Sequence, residues 1–568
     1  MSALIRLVPA CVLSALELLR VFSSPAKMAA LSKPSKIEVG NANVHPVVTD
    51  LTVSFCSPTD PLSTCALDSP RWLRIENDLY LHTAHQTAWL QIAQAREGDL
   101  TADDLVVTEI RVGELHPSAG AGSDKENSWE RRPGGIWVLR SPYTGDRHQA
   151  VTAVDVLFGV DAVDPRPQWV LVGTPLQLGA HPEVPVARLT VRQGRAKPRP
   201  DVPRMPLRVK EDSKFKIVQI SDTHMVTGVG VCKDAMDAHG KPLPEHGADP
   251  LTVNFLGGIL DVEKPDLVIL TGDQLHHDIL DSQTTLFKVV APLIERSIPY
   301  AAVFGNHDDE GAYTLSRTAQ MSLYQDLPFS LCQSGPERVD GVGNYYLQIF
   351  APEPSQLPLS TLYFLDSHGQ IPSKVRDPDY DPIKQSQIDW FTCTSQALRQ
   401  DRREKDNNHL SLAFIHIPIP EYADSDLIVR GGKRREPTEG PSFNSHFYDA
   451  LAQEGIAVLG CGHDHVNDFC ALRPPKESQQ DGDKPHGPWL CYGGGSGFGG
   501  YCSYGDKRYH RRTRVFELDT RTGGIKTWKR VEYARERIDE LDLVDSGKVV
   551  HPAPAYDLDG GTAAQAVL

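Results

Sequence analysis

Five short clusters in this chain hold residue types that can bind metal ions. They are Ser221-Asp222-Thr223-His224, Thr271-Gly272-Asp273, Gly305-Asn306-His307-Asp308, the single His416, and Gly460-Cys461-Gly462-His463-Asp464-His465. Each directly follows a run of apolar residues. Together they offer two carboxylates (Asp222, Asp273), one amide oxygen (Asn306) and four imidazoles (His224, His416, His463, His465). Nitrogen and oxygen donors of this kind suit a pair of borderline divalent ions such as Mn, Zn or Fe, and no thiolate is needed. Asp222 and His224, two residues apart at a strand end, can face one ion. His463 and His465 can do the same or be split between two. Asp273 has two oxygens and can bridge. Two such ions clamp a phosphoryl group and lower the pKa of a water that attacks phosphorus, so no Ser or Cys nucleophile is required.

The apolar runs before these clusters read as strands. Phe215–Ile220, Leu267–Leu270, Tyr300–Phe304, Thr361–Leu365, Leu410–Ile415 and Ile456–Leu459 are short and rich in β-formers. Helical segments are expected at Leu251–Val262, 281–296 and Lys384–Arg399. Alternation of this kind predicts an α/β protein, and the C-terminal ends of such strands are where ligand sites gather. Residues 513–518 and 525–529 suggest a closing hairpin. The first half differs. Residues 1–45 read as leader and linker, and 46–195 as a β-rich accessory domain, with a loop at 116–134. Residues 196–213 form a basic, Pro-rich linker, 214–532 the α/β domain, and 533–568 a tail.

Composition narrows the function. The chain has 568 residues and a formal net charge of −16. That balance opposes a general binder of long nucleic acid or of anionic membranes. Two divalent ions against two carboxylates would still leave a locally positive site for phosphate. No run of 18 apolar residues occurs after the N-terminus. Arg6 followed by Leu7–Leu16 half fits a signal sequence, with Glu17 against it. The expected location is therefore cytoplasmic, with the secretory pathway or vacuole as the alternative if residues 1–24 act as a signal. Ten Cys do not make a disulfide scaffold. Cys56 with Cys65, or members of the group Cys461, Cys470, Cys491 and Cys502, could form a bridge, but free or buried thiols are the simpler expectation.

The series D-x-H, G-D, G-N-H-D, H and G-H-x-H, complete and in order over about 214–530, resembles the calcineurin-like metallophosphoesterase superfamily. Ala248–Phe255, Glu263–Leu267 and Arg511–Phe516 are similar to the fungal cell-cycle-regulator phosphatases and the plant purple-acid-phosphatase-like proteins. Trp72–Tyr80 and Gly134–Trp137 are similar to the fungal group. The resemblance implies a four-layer αββα core, a central β-sandwich flanked by helices. It also implies one metal held by Asp222, His224, Asp273 and His465, and another by Asp273, Asn306, His416 and His463. True purple acid phosphatases carry D-x-G first and a tyrosine three residues after the bridging Asp. Here His224 and His276 stand in those places, so no tyrosinate–Fe(III) centre is implied.

His307, next to the ligand Asn306, is the candidate acid, with Asp308 or Asp309 to orient it. The leading expectation is a phosphomonoesterase acting on a phosphorylated substrate, in the family's pattern a phosphoprotein. A phosphodiesterase or nucleotide pyrophosphatase is the alternative, and a non-catalytic binding module a remote one. His276 and His277 could line the cleft. Arg430, Lys433, Arg434 and Arg435 could meet an anion or simply be solvated. Arg511, Arg512 and Arg514 could frame the site or lie on an exposed strand. The Gly493–Gly500 run reads as a close-packed or flexible turn and not as a nucleotide loop.

Overall fold

The computed structural model describes residues 46–56, 71–82, 87–114, 128–145, 147–180, 182–196, 206–244, 246–373, 378–401, 409–474 and 487–551. The leader, most of the 116–134 and 474–488 loops, and the last 17 residues lie outside them.

Two sheets form the main body. One runs in the order Tyr300–Val303, Leu267–Thr271, Lys214–Ile220, Arg512–Asp519, Gly524–Val531, Ile538–Asp545, Lys548–Val549. Its first three strands are parallel, and Lys214–Ile220 meets Arg512–Asp519 antiparallel. The other sheet has eight strands, centred on the parallel trio Pro358–Phe364, Leu410–Phe414 and Val458–Cys461. Period-two alternation sends one set of side chains into the space between the sheets. Ile217, Ile269, Leu412, Phe414, Phe516 and Trp489 meet there.

The opposite faces are covered by helices. Val218, Val268 and Leu270 pack on α1 (Ala248–Glu263), α2 (Ser282–Glu295) and α3 (Arg317–Asp326). On the second sheet, Ala413, Ile415 and Leu459 pack on α4 (Gln385–Asp401) and α5 (Phe447–Gln453). The result is the four-layer helix–sheet–sheet–helix core. Strands buried on both faces read as continuous apolar runs, which is why they stand out in the sequence.

The core runs further than residue 532. Ile538–Asp545 and Lys548–Val549 add two strands to the edge of the first sheet, and Leu543 and Val544 bury in its core. Four acidic residues in eight (Asp539, Glu540, Asp542, Asp545) give the Ile538–Asp545 strand the composition of a tail. At the other end Leu207–Arg208 pairs with Tyr345–Phe350, so the linker already belongs to the second sheet. Trp129–Arg132 is likewise a strand inside the expected 116–134 loop.

The accessory region is built of three three-stranded antiparallel sheets around one apolar core. It sits on α2. The Phe158 amide donates to Thr284 Oγ1 at 3.1 Å, and Gln283 Nε2 donates to Asp155 Oδ2 at 3.0 Å. The buried Lys288 ammonium bridges Asp161 of the accessory domain, at 2.8 Å, to Asp249 of α1. Leu157 and Ala162 join the apolar cluster under α2.

The thiols differ from the simpler expectation. Cys470 and Cys491 form a disulfide between directly paired strands, and Cys56 and Cys393 each belong to a disulfide of their own. Cys461 and Cys502 are free and buried.

Candidate metal centre

Loops at the C-terminal ends of the parallel strands carry the polar side chains. Asp222 and His224 follow Lys214–Ile220, Asp273 follows Leu267–Thr271, Asn306 and His307 follow Tyr300–Val303, His416 follows Leu410–Phe414, and His463 and His465 follow Val458–Cys461. Two triads form, Asp222 with His224 and His465, and Asp273 with His416 and His463, each with donor atoms within 4.8 Å of one another. Asp273 Oδ2 joins them, 3.2 Å from His416 Nε2 and 3.7 Å from His224 Nε2. Its Oδ1 accepts the His307 amide at 2.9 Å.

The local backbone is unusual. Asp222, His224, Asp273 and His463 all have left-handed φ, at 56°, 45°, 50° and 78°. A left-handed non-glycine residue costs on the order of 1–3 kcal/mol, and such residues gather at functional sites. Here four occur together because each chain must turn sharply off a strand end to aim its donor inward.

The donor set fits a pair of divalent cations. His416 Nδ1 donates to the Thr271 carbonyl and His465 Nδ1 to the Tyr501 carbonyl, both at 2.8 Å, which turns each Nε2 toward the cluster. His416 Nε2, both ring nitrogens of His463 and Asn306 Oδ1 are buried with no hydrogen-bond partner. Such groups are costly to bury unpaired. His224 Nε2 lies 3.1 Å from His465 Nε2, so the two rings aim their Nε2 atoms at one point. Burial, with neighbouring imidazoles second, keeps His224 and His463 well below their ordinary pKa, and burial pushes His465 down to about 3. They are neutral imidazoles, the form that binds metal.

The acid candidate is held differently from expectation. His307 Nδ1 pairs with Glu310 Oε2, and neither Asp308 nor Asp309 orients it. Asp308, expected as a catalytic partner, turns inward. Its Oδ2 accepts the amides of Gly305 at 2.7 Å and Asp273 at 3.0 Å, and its Oδ1 accepts that of Leu275 at 2.9 Å. Three backbone donors capture it, so it shapes two ligand loops and does not face the cleft. Asp309 pairs with Arg317, which also donates to the Gly305 carbonyl at 2.8 Å and the His368 carbonyl at 3.0 Å. Burial opposes charging the His307 ring, but Asp273 and then Glu310 outweigh it and hold its pKa above the ordinary value.

His276 and His277 do line the cleft. His276 lies 5.6 Å from His224 and His277 lies 5.5 Å from His307, ring to ring. The glycine run is a packing device, placed where a Cβ on Gly495 would lie 2.9 Å from His465 Cβ. Arg511 is buried and donates to the carbonyls of Gly500 and Tyr501, so it holds this turn. Arg512 and Arg435 pair with Asp468, and Arg514 donates to its carbonyl. Arg511, Arg512 and Arg514 are all buried and so do not lie on an exposed strand. Two aromatics unmarked in the sequence also touch candidate ligands: Tyr501 stacks on His465 at 4.0 Å, and Tyr380 meets the His463 ring edge-on at 4.9 Å.

A profile of the calcineurin-like phosphoesterase family matches residues 215–467. A protein of Arabidopsis thaliana named probable inactive purple acid phosphatase 29 is 36% identical over 353 residues, covering 58% of this chain and 85% of that relative. The chain belongs to the calcineurin-like phosphoesterases. Phosphatase DCR2 of Saccharomyces cerevisiae is 38% identical over 411 residues, 70% of this chain and 67% of that protein. A solved dimetal phosphatase from Danio rerio aligns over 58% of this chain and 98% of its own, with 14% identity and a TM-score of 0.37. This calcineurin-like phosphoesterase is a metal-dependent hydrolase of phosphate esters. Among the described residues no helix is long and apolar enough to cross a membrane.

Proposed function

We propose that this phosphoesterase hydrolyses phosphomonoesters and that its natural substrate is a phosphoprotein. The observation that carries the first part is the place of His307. Its ring centroid is 5.3 Å from that of His224, beside the ligand cluster, and its Nδ1 is tied to Glu310. Asp222, His224, Asp273 and His465 would hold one divalent ion, and Asp273, Asn306, His416 and His463 the other. Bound there, the ions would neutralise phosphoryl oxygens and activate a water. The side chains do the rest. Asp273 and then Glu310 favour the charged imidazole, and the Glu310 contact occupies Nδ1, so Nε2 is the nitrogen left to serve as the donor. As the bond from phosphorus to the ester oxygen breaks, the Nε2 proton passes to that oxygen, which leaves as an alcohol.

The protein substrate is what the resemblance of Ala248–Phe255, Glu263–Leu267 and Arg511–Phe516 to the fungal cell-cycle-regulator phosphatases implies; the yeast relative is a phosphatase by name. The plant relative carries "inactive" in its name, whereas in this chain Asn306 Oδ1, His416 Nε2 and both ring nitrogens of His463 have no hydrogen-bond partner. Hydrolysis of p-nitrophenyl phosphate is expected to exceed that of bis(p-nitrophenyl) phosphate, and a phosphoserine peptide should be turned over. Faster diester turnover would point to a phosphodiesterase instead.

The disulfides favour the secretory pathway or vacuole over the cytoplasm, because such bonds persist in oxidising compartments. Thiol titration of the denatured native protein before and after reduction should reveal the masked thiols.

A further inference from the structure

We propose that the accessory domain is part of the catalytic apparatus: through His82 stacked on Tyr313, it positions the loop that carries His307 for leaving-group protonation. This inference rests on the reading of His307 as the acid.

The contact is specific. The rings of His82 and Tyr313 lie 4.0 Å apart and only 4° from parallel. Tyr313 is six residues after His307 and three after Glu310, in the same loop. The near end of that loop is held by Arg317, through Asp309, the Gly305 carbonyl and Asp366. Its outer turn has local ties. Thr314 N–H and Oγ1 both bond the Gly311 carbonyl, and the Leu315 amide donates to Ser282 Oγ at 2.9 Å. Gly311 is pressed on the His277 carbonyl, 2.6 Å from where a β-carbon would sit. Glu310 itself is half-exposed, so the orientation of His307 depends on how firmly this outer turn is held.

The accessory domain presents His82 in a costly way. Leu81 and His82 have left-handed φ of 45° and 63° in succession, which non-glycine residues avoid. The turn is fixed from within. Asp78 is buried, its Oδ1 accepts the amides of Tyr80 at 3.0 Å and Ala88 at 3.2 Å, and its carbonyl accepts that of Leu81 at 2.9 Å. Leu79, Tyr80 and Leu81 are buried in the accessory core, against which Leu280 packs. The strained turn thus places one exposed ring on Tyr313. Strain held by surrounding structure at the rim of a site is the pattern expected of a functional contact.

The test uses the ratio of kcat for an alkyl phosphate to kcat for p-nitrophenyl phosphate. An alkoxide leaving group needs a proton and p-nitrophenolate does not. A fractional loss of folded enzyme lowers both rates and leaves the ratio alone. His307→Ala should lower the ratio by about 10²–10⁴-fold, the usual scale of general acid catalysis. His82→Ala and Tyr313→Ala should each lower it by about tenfold, while His82→Phe and Tyr313→Phe, which keep a stacked pair, should restore it. If the His307→Ala ratio falls but the His82→Ala and Tyr313→Ala ratios equal that of wild type, the positioning role is overturned and the acid stands. An unchanged ratio in His307→Ala overturns the acid reading and this inference with it.

Discussion

The α-carbon of Gly500 packs so closely on His465 that a β-carbon there would lie 2.5 Å from Cε1 of the imidazole, and 2.7 Å from Cδ2 of His224. The glycine run is therefore the back wall of one triad. Gly500→Ala must push two ligand rings apart. We expect metal affinity and activity to fall by about 10–100-fold, the scale seen when supports of metal ligands are lost. Unfolding temperature and circular dichroism should change little, since the turn lies at one end of the sheets. Equilibrium dialysis against the metal, run beside the activity assay, checks this.

Glu310 predicts a pH effect. Burial alone would lower the His307 pKa, and Asp273 and Glu310 raise it above the ordinary value. An acid acts while protonated, so its contribution is lost as pH rises through that pKa. Glu310→Gln removes one raising charge. The alkaline limb of kcat for an alkyl phosphate should move to lower pH, and the rate at the optimum should fall by less than the roughly 10²–10⁴-fold effect of losing the acid itself. A pH–rate profile of the two proteins decides it.

Asp468 is the electrostatic anchor behind the site. Arg512 Nη1 and Lys529 Nζ each lie 2.7 Å from its Oδ2, and Arg435 meets Oδ1. Burial opposes its charge, but Arg512, Lys529 and Arg435 prevail and hold its pKa far below the carboxylate range. A carboxylate depressed on folding stabilises the fold above its unfolded pKa of about 4 and loses that contribution as pH falls below it. Asp468→Asn should cost about 3–5 kcal/mol at pH 7, because it leaves buried cations unpaired. Its stability should also fall less steeply on acidification than that of wild type. Urea unfolding between pH 3 and 7 measures both.

What was legible in the sequence follows from local physics. The strands Lys214–Ile220, Leu267–Thr271 and Leu410–Phe414 are buried on both faces, so their apolar runs announce themselves, and the candidate ligands stand directly after them. Helices α1, α2 and α4 were likewise close to their expected spans. The short α3 and α5 leave weaker marks. The partner of His307 was not legible. Asp308 is nearer in the chain, but backbone amides capture it, and Glu310, three residues after His307, takes the place. The His82–Tyr313 stack and the Tyr501–His465 stack join residues far apart in the sequence and leave no local signature. The Ile538–Asp545 strand was hidden by the acidic residues that face solvent from a sheet edge.

The geometry around Asp273 points to a two-metal centre that this carboxylate would bridge. It is tested most directly by elemental analysis of purified wild-type protein and Asp273→Asn, each chelated and then reconstituted with Mn, Zn or Fe, with p-nitrophenyl phosphate turnover read on the same samples. The structure predicts about two ions per wild-type chain, activity lost on chelation and restored with the metal, and fewer than two ions with little turnover in Asp273→Asn. A single ion in the active wild-type protein, or full turnover by the chelated enzyme, would contradict it.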